Sequence, residues 1–180
     1  MGILYIILIV IALVVSSLLI AALFTQKDYS VKREMVINKP KLLIFDYIKY
    51  LKNQDQFSKW ATMDPNMKKE YRGTDGTVGF TSFWDSEDKK VGKGEQEIVS
   101  IIEGERVDFS LRFIKPFPGE AKAFMSTEKI TENETLVKWV LESSMKYPMN
   151  LMLLFMNMEK MMGPDLETGL ANLKKLMEKQ

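Results

Sequence analysis

The sequence contains no cysteine and no histidine, and these two absences exclude several kinds of chemistry. Without cysteine there is no disulfide framework and no thiol nucleophile, and without histidine there is no imidazole base near neutral pH. Zinc sites built on cysteine and histidine are excluded for the same reason. An enzyme built from this chain would have to work with Asp, Glu, Lys, Tyr or Arg, or with a metal held by oxygen ligands alone.

The chain also lacks an excess of charge of either sign. Its 180 residues include 25 Lys and Arg against 24 Asp and Glu, which gives a net charge of +1. Such a balance creates no long-range field that would hold a polyanion. We therefore expect no nucleic-acid partner.

No charged residue lies before Lys27, and residues 3–24 form a continuous apolar run broken only by two serines. As a helix this run covers about 33 Å, which matches the roughly 30 Å hydrocarbon core of a bilayer. The alternative is a cleaved signal peptide, but the run lacks a basic start and exceeds the ~7–15 apolar residues of such a segment. We predict a transmembrane anchor over residues 1–26, followed by one globular domain over residues 27–180.

Basic residues follow the C-terminal end of the apolar run, while no Lys or Arg precedes it. These residues are Lys27, Lys32, Arg33, Lys39 and Lys41. The positive-inside rule then predicts a single-pass membrane protein whose globular domain is cytoplasmic.

From residue 29 onward the pattern predicts a strand, a helix, several strands and a final helix. Residues 29–37 are rich in β-branched side chains, and residues 41–52 carry apolar side chains at helical spacing. Between residues 68 and 145 the period changes to two, and turn residues separate six predicted strands. Because short links join neighbouring antiparallel strands, we expect a meander and not a parallel sheet.

The C-terminal part returns to helical spacing and is rich in methionine. Eight of the thirteen methionines lie in residues 145–180, and residues 149–158 are nearly all apolar. Such a segment is buried on most sides or touches lipid. Residues 163–165, Gly-Pro-Asp, are expected to break or kink the helix. Gly169, inside the final amphipathic helix, indicates that another group approaches it closely.

Three segments together resemble a known superfamily: INKPKLLIFDYIKYLKNQDQFSKW, VGFTSFWDSEDKKVGKGEQEIVSI and KYPMNLMLLFMNMEKMMGPDLETGLANLKKL. In their order and spacing they resemble the SRPBCC superfamily, and more narrowly its polyketide cyclase/dehydrase-like proteins of the START and Bet v 1 type. The resemblance covers about residues 29–179. It implies an α+β helix-grip fold, in which an antiparallel sheet wraps around a long C-terminal helix. It also implies a cavity for lipids, sterols, polyketides or other apolar molecules, without implying catalysis.

The alternation along the strands indicates which side chains would line such a cavity. On residues 78–85 the inward set is either Phe80, Ser82 and Trp84 or Thr81 and Phe83, and we prefer the set with Trp84. The predicted ligand-binding residues are Trp84, Gln96, Phe109, Leu111, Met125 and Trp139 on the strands, with Met152, Phe155 and Met156 facing them from the helix. Plain core packing is the alternative for each of these residues, although methionine is well suited to irregular apolar sites.

No residue is predicted to be catalytic, and we expect neither a metal nor a cofactor. Glu95 and Glu97 fall on the strand face expected to be solvated. Asp85, Glu87 and Asp88 lack the glycine and the distal glutamate of a calcium-binding EF-hand. The residues therefore give no assembled catalytic or metal-binding set.

Three classes of function follow from the sequence. The first is a membrane-tethered module that binds, transfers or senses a hydrophobic small molecule or lipid. The second is a cyclase- or dehydrase-like enzyme in which a cavity carboxylate or tyrosine moves protons. The third is a protein-interaction or effector-sensing domain whose cavity is vestigial. A deep pocket with an isolated ionisable group would favour the enzyme, and a filled interior would favour the third class.

Overall fold

The structure, a computed structural model, describes residues 2–179. Its elements are, in chain order, α1 (Gly2–Phe24), β1 (Asp28–Ile37), α2 (Lys41–Lys49), a 3-10 turn (Leu51–Asn53), α3 (Gln54–Phe57), α4 (Lys59–Met63), β2 (Lys68–Arg72), β3 (Thr81–Asp85), β4 (Lys93–Ile102), β5 (Arg106–Lys115), β6 (Gly119–Thr131), β7 (Glu134–Ser144), a second 3-10 segment (Met149–Leu154) and α5 (Met158–Lys179). The predicted strand over residues 29–37 and the six strands between residues 68 and 145 are confirmed.

The seven strands form one antiparallel sheet in the order β1-β7-β6-β5-β4-β3-β2. Strands β2 to β7 are a meander, as expected from their short connections. The segment with α2, α3 and α4 carries the chain from β1 at one edge to β2 at the other. The same segment covers the inner face of the sheet, where Phe45, Ile48 and Phe57 are fully buried.

The long helix α5 packs on the inner face of the sheet. Asn157 caps its start, since its side-chain Oδ1 accepts a hydrogen bond from the backbone N–H of Lys160 at 3.0 Å. The buried stripe of the helix consists of Leu166, Leu170, Leu173 and Met177, as the helical spacing predicts. This completes the α+β helix-grip architecture that the sequence predicts.

The break expected at residues 163–165 is absent, because α5 continues through Pro164. Proline removes one helical hydrogen bond, but apolar contacts hold the helix on both sides of it. Met162 packs against the core before the proline, and Leu166 is fully buried after it. Gly163 lets the Arg33 guanidinium lie close to the helix backbone, at the place where a Cβ of residue 163 would stand.

The N-terminal helix α1 stands apart from this core. Of its described side chains only Ala22 is buried. The helix is long and apolar enough to cross a membrane, a test that a signal sequence passes equally. It ends at Phe24, and β1 begins at Asp28, so the apolar helix is joined directly to the edge of the sheet.

Candidate functional site

A cavity of about 270 Å³ lies between the sheet and the helices that cover it. The sheet contributes side chains from β2 to β7, α3 and α4 form the opposite wall, and α5 contributes Met162. Its inner wall consists of Leu51, Gln54, Ser58, Trp60, Ala61, Ser82, Trp84, Gln96, Leu111, Phe113, Ala123, Trp139, Leu141 and Met162. Most of these side chains are apolar, so the cavity suits an apolar guest.

Trp84 lies on the inner face of the sheet, together with Ser82, which confirms the preferred parity of residues 78–85. Its indole Nε1 donates a hydrogen bond to the carbonyl oxygen of Val91 at 3.3 Å. The ring lies across the neighbouring strand at Gly94, where a Cβ would stand 2.5 Å from Cζ2 of the indole. The absence of a side chain at Gly94 therefore leaves the space that the Trp84 indole occupies.

The wall formed by α3 and α4 was missed by the sequence interpretation. Leu51, Gln54 and Ser58 all line the cavity and are buried. Their spacing of three and four places them on one helical face together with the buried Phe57. This spacing is the signal that could have identified Gln54 as an inward-facing polar residue.

Gln54 and Ser58 are the most deeply buried polar residues of the cavity wall, and Gln54 has 6% of its surface exposed. Its Oε1 accepts a hydrogen bond of 3.4 Å from Nε2 of Gln96. Its own Nε2 has no hydrogen-bond partner within residues 2–179. A buried donor without a partner is unfavourable by about 1–3 kcal/mol, so an acceptor atom on a guest would be stabilised here.

A charged cluster lies at one side of the cavity. Lys69 and Asp55 both line it and form an ion pair of 2.9 Å between Nζ and Oδ1. The Tyr71 hydroxyl donates a hydrogen bond to the other carboxylate oxygen of Asp55. Burial, with this hydrogen bond, raises the pKa of Tyr71 far above its ordinary value. Tyr71 therefore stays protonated at neutral pH and is a hydrogen-bond donor and not a base.

The mouth of the cavity is formed by two connections between strands. Lys90 and Val91 come from the turn between β3 and β4, and Lys115, Pro116 and Phe117 come from the end of β5 and the turn after it. Phe117 is 82% exposed. The mouth thus combines two lysines with an exposed aromatic ring.

Four of the predicted ligand-binding residues line this cavity: Trp84, Gln96, Leu111 and Trp139. Phe109 and Met125 point inward, as their parity predicts, but they are fully buried in the core and do not reach the cavity. No bound ligand is present, so the binding role of these residues stays a prediction.

The predicted position of Met152, Phe155 and Met156 is wrong. They do not lie on the C-terminal helix, because the helix begins only at Met158 and the preceding residues form a 3-10 segment and a turn. Phe155 is 84% exposed and Met152 is 38% exposed. A segment that is apolar on nearly all sides does not show which of its side chains pack on protein and which stay outside the core. Met162, one turn inside α5, takes the position expected of them.

The described residues, 2–179, contain no group of three or more acidic side chains close enough to hold a metal ion. Glu95 pairs with Arg112 at 2.6 Å on the outer face of the sheet, and Glu97 is exposed. Among residues 2–179, Asp55 is the only acidic residue that lines the cavity.

Comparisons with known proteins agree with this architecture. No protein-family profile and no curated protein matches the chain. Norcoclaurine synthase from Thalictrum flavum, solved in complex with dopamine and hydroxybenzaldehyde, is similar over 89% of this chain and 92% of its own, with 13% identity and a TM-score of 0.65. A structural-genomics protein from Nitrosospira multiformis is similar over 82% of this chain and 94% of its own, with 17% identity and a TM-score of 0.56. A third, from Mesorhizobium loti, is similar over 84% of this chain and 98% of its own, with 10% identity and a TM-score of 0.60. The chain therefore has the Bet v 1-like helix-grip fold.

Proposed function

We propose that this protein is a membrane-tethered module that binds a hydrophobic small molecule or a lipid between its sheet and its covering helices. The cavity of about 270 Å³ carries the proposal. Ligand pockets usually measure ~300–1,000 Å³ and combine apolar walls with a few polar groups. This cavity is slightly smaller than that range, and it likewise combines apolar walls with a few polar groups. An open cavity also argues against the vestigial alternative, for which a filled interior is expected.

The polar groups of the wall narrow the class of ligand. Gln54, on the cavity wall, carries a buried side-chain donor that has no partner within residues 2–179, and most of the side chains around the cavity are apolar. A ligand with a carbonyl, hydroxyl or ether oxygen at its buried end would satisfy this donor. A purely hydrocarbon ligand would leave it unpaired. We therefore infer an oxygen-bearing hydrophobic molecule. Norcoclaurine synthase, which shares the fold, was solved with dopamine and hydroxybenzaldehyde, so this architecture is able to hold small organic molecules.

The exposure of α1 supports the membrane tether. A core helix of a soluble protein would be buried, whereas α1 exposes nearly all its described side chains. Exposing so much apolar surface to water is unfavourable. The hydrocarbon core of a bilayer is a favourable environment for the same side chains. The basic residues that follow, among them Lys27, Lys32 and Arg33, favour a cytoplasmic position for the domain.

Photolabelling with benzophenone, which inserts into nearby C–H bonds, tests the binding site directly. We expect adducts at Met162 when full-length protein in detergent is irradiated, since Met162 lines the cavity. Leu111→Trp fills space in the cavity and should reduce these adducts. Ser110→Trp, on the exposed face of the same strand, is the matched control. Adducts on α1, which detergent covers in all variants, provide an internal reference.

Adducts confined to α1 would contradict the binding proposal and favour an interaction domain on a tether. If instead adducts form at Met162, native mass spectrometry of the extracted protein would identify the natural ligand.

The role of Gln54 is tested with two probes of similar size, benzophenone and diphenylmethane, of which only the first has a carbonyl oxygen. Gln54→Leu should weaken benzophenone binding by up to about tenfold, since a net hydrogen bond contributes ~0.5–1.5 kcal/mol. Binding of diphenylmethane should not weaken. Gln56→Leu, on an exposed residue outside the cavity, is the control. Equal losses for both probes would show that Gln54 acts by packing alone.

The Asp55–Lys69 pair supports a second candidate function, a cyclase- or dehydrase-like enzyme. A carboxylate and an ammonium group at the wall of an apolar cavity are able to move protons on a guest. Here they bind each other, and Asp55 also accepts a hydrogen bond from Tyr71, which favours the binding function. Conversion of the co-purified ligand by the protein but not by its Asp55→Asn variant would establish the enzyme instead.

A further inference from the structure

The end of α1 and the mouth of the cavity lie at the same end of the sheet. In antiparallel pairs the start of each strand stands opposite the end of its neighbour. Asp28, the first residue of β1, pairs with Ser144 at the end of β7, and Lys93, the first residue of β4, pairs with Lys115 at the end of β5. The strands between them pair in the same way. Phe24 precedes Asp28 by four residues, a stretch that spans at most about 14 Å.

Three of the connections at this end of the sheet are residues 86–92, residues 116–118 and residues 145–157. The first contributes Val91 and the second contributes Phe117 to the cavity wall. The third joins β7 to α5. The cavity therefore opens toward the side on which the chain enters from α1.

Highly exposed phenylalanines occur only at this end of the described chain. Phe24 is 85% exposed, Phe117 is 82% exposed and Phe155 is 84% exposed. The other seven phenylalanines are buried or half-buried. Exposed aromatic and aliphatic side chains beside a transmembrane helix are typical of a surface that lies in the membrane interface.

The third connection is fastened to α1 by Asn150, which is fully buried. Its side-chain Nδ2 donates hydrogen bonds to the carbonyl oxygens of Ala22 at 2.7 Å and Thr25 at 3.0 Å. These carbonyls belong to the C-terminal end of α1, where helical carbonyls lack intrahelical partners. The exposed Met149 and Leu154 therefore lie at the level of the last turn of the apolar helix.

We propose that this end of the domain rests on the bilayer that holds α1, so that the cavity opens onto the lipid and takes its ligand from the membrane. This inference rests on the proposed function. The occupant of the exposed apolar surface is the bilayer itself. Lys90 and Lys115 at the mouth complement the anionic headgroups of such a surface. The ligand class is thus an oxygen-bearing molecule that dissolves in the bilayer.

The absence of cysteine allows contact with lipid to be measured one position at a time. Full-length Phe117→Cys and Phe155→Cys proteins are labelled with an NBD fluorophore and reconstituted into phosphatidylcholine–phosphatidylserine vesicles. Val78→Cys is the matched control, because Val78 is apolar and 60% exposed but lies between β2 and β3 at the opposite end of the sheet. We expect blue-shifted emission, and quenching by nitroxide lipid, at positions 117 and 155 but not at 78.

Entry of the ligand from the lipid is tested in the same vesicles with a phosphatidylcholine that carries benzophenone on its acyl chain. We expect adducts at Met162, as with free benzophenone. Phe155→Ser, which alters the docking surface without touching the cavity wall, should reduce labelling by the lipid-bound probe and not by free benzophenone. Val78→Ser should change neither.

The outcomes separate the two proposals. Protein that fails to float with the vesicles after carbonate extraction contradicts the tether. Absence of Met162 adducts with free benzophenone contradicts the binding function. Suppose that the protein floats and that free benzophenone labels Met162. The inference is then overturned if NBD emission and quenching at positions 117 and 155 equal those at position 78. It is also overturned if lipid-bound benzophenone labels α1 alone.

Discussion

The indole of Trp139 lies against the backbone of α5 at Gly169, where a Cβ would stand 2.6 Å from its Cζ3 atom. The ring cannot easily move aside, because it also contacts Phe57 and Trp60 edge-on, with centroids 5.7 Å and 6.3 Å away. The close approach expected at Gly169 from the sequence is therefore that of a cavity-lining ring. This contact sets the distance between the helix and the sheet.

Gly169→Ala should destabilise the protein even though alanine favours helix. The gain in helix propensity is about 1 kcal/mol, and overpacking of a filled site costs about 1–3 kcal/mol, so we expect a net loss of up to about 2 kcal/mol. Denaturant unfolding measures this loss, with Lys175→Ala on the exposed face as the control. In the Trp139→Phe background the loss should shrink, and an unchanged loss would contradict this explanation.

Met162 and Met152 should respond differently to enlargement. Met162→Trp is expected to fill the cavity and to lower benzophenone labelling at Leu111, with little effect on stability. Met152→Trp should leave labelling unchanged, because Met152 lies outside the cavity wall. Peptide mapping and thermal melts of both variants decide between the sites. The reverse pattern would restore the position that the sequence indicated for Met152.

Removal of residues 1–26 should leave a soluble domain that unfolds cooperatively. The core consists of side chains from residue 31 onward, and α1 contributes only the buried Ala22. The truncation removes both acceptors of the Asn150 side-chain Nδ2, the carbonyl oxygens of Ala22 and Thr25. Circular dichroism of residues 27–180 tests this boundary. Aggregation, or a melt without a transition, would show that the domain depends on α1.

Acid should loosen the contact between Asp64 and the residue that follows β3, Ser86. The Ser86 hydroxyl donates to Oδ2 of Asp64 at 2.5 Å and the Asn66 N–H donates to Oδ1 at 2.8 Å, and these hydrogen bonds lower the pKa of Asp64. Because the folded pKa is the lower one, the stabilisation is complete above the unfolded value of about 3.9 and is lost as pH falls through the folded value.

The stability difference between the parent protein and Asp64→Asn, followed by melts from neutral to acid pH, should therefore be constant above about pH 5 and shrink below about pH 4. A difference that does not change with pH would exclude this role for Asp64.

Local pattern was sufficient for most of the framework. The alternation of residues 106–113 and 137–141 predicted both the strands and the inward faces, since a half-buried strand must alternate. The same rule left two inward sets open for residues 78–85, and the preference for the set with Trp84 rested on keeping Thr81 and Asp85 on the solvated face. Four of the nine predicted ligand-binding residues line the cavity for this reason.

The covering wall could not be predicted in the same way. Gln54 lies on a short helix whose orientation depends on Phe57, which packs against Trp139 far along the chain. The spacing of Leu51, Gln54 and Ser58 indicates a shared helical face, but it does not show which part of the sheet this face covers. Their position follows only when distant elements meet.

The sequence by itself determined the apolar helix, the antiparallel meander of six strands, the faces of the long strands and the amphipathic stripe of the last helix. Each of these features follows from a local repeat of apolar and polar residues, in which one face of the element is buried or meets a single solvent. The tertiary structure decided where α5 begins, that it continues through Pro164, and that residues 149–157 lie beside the end of α1. The physical reason is that an apolar side chain is stabilised by leaving water, whichever apolar surface it then contacts. Which apolar surface it meets, the sheet or the neighbourhood of α1, is fixed by the geometry of the assembled fold.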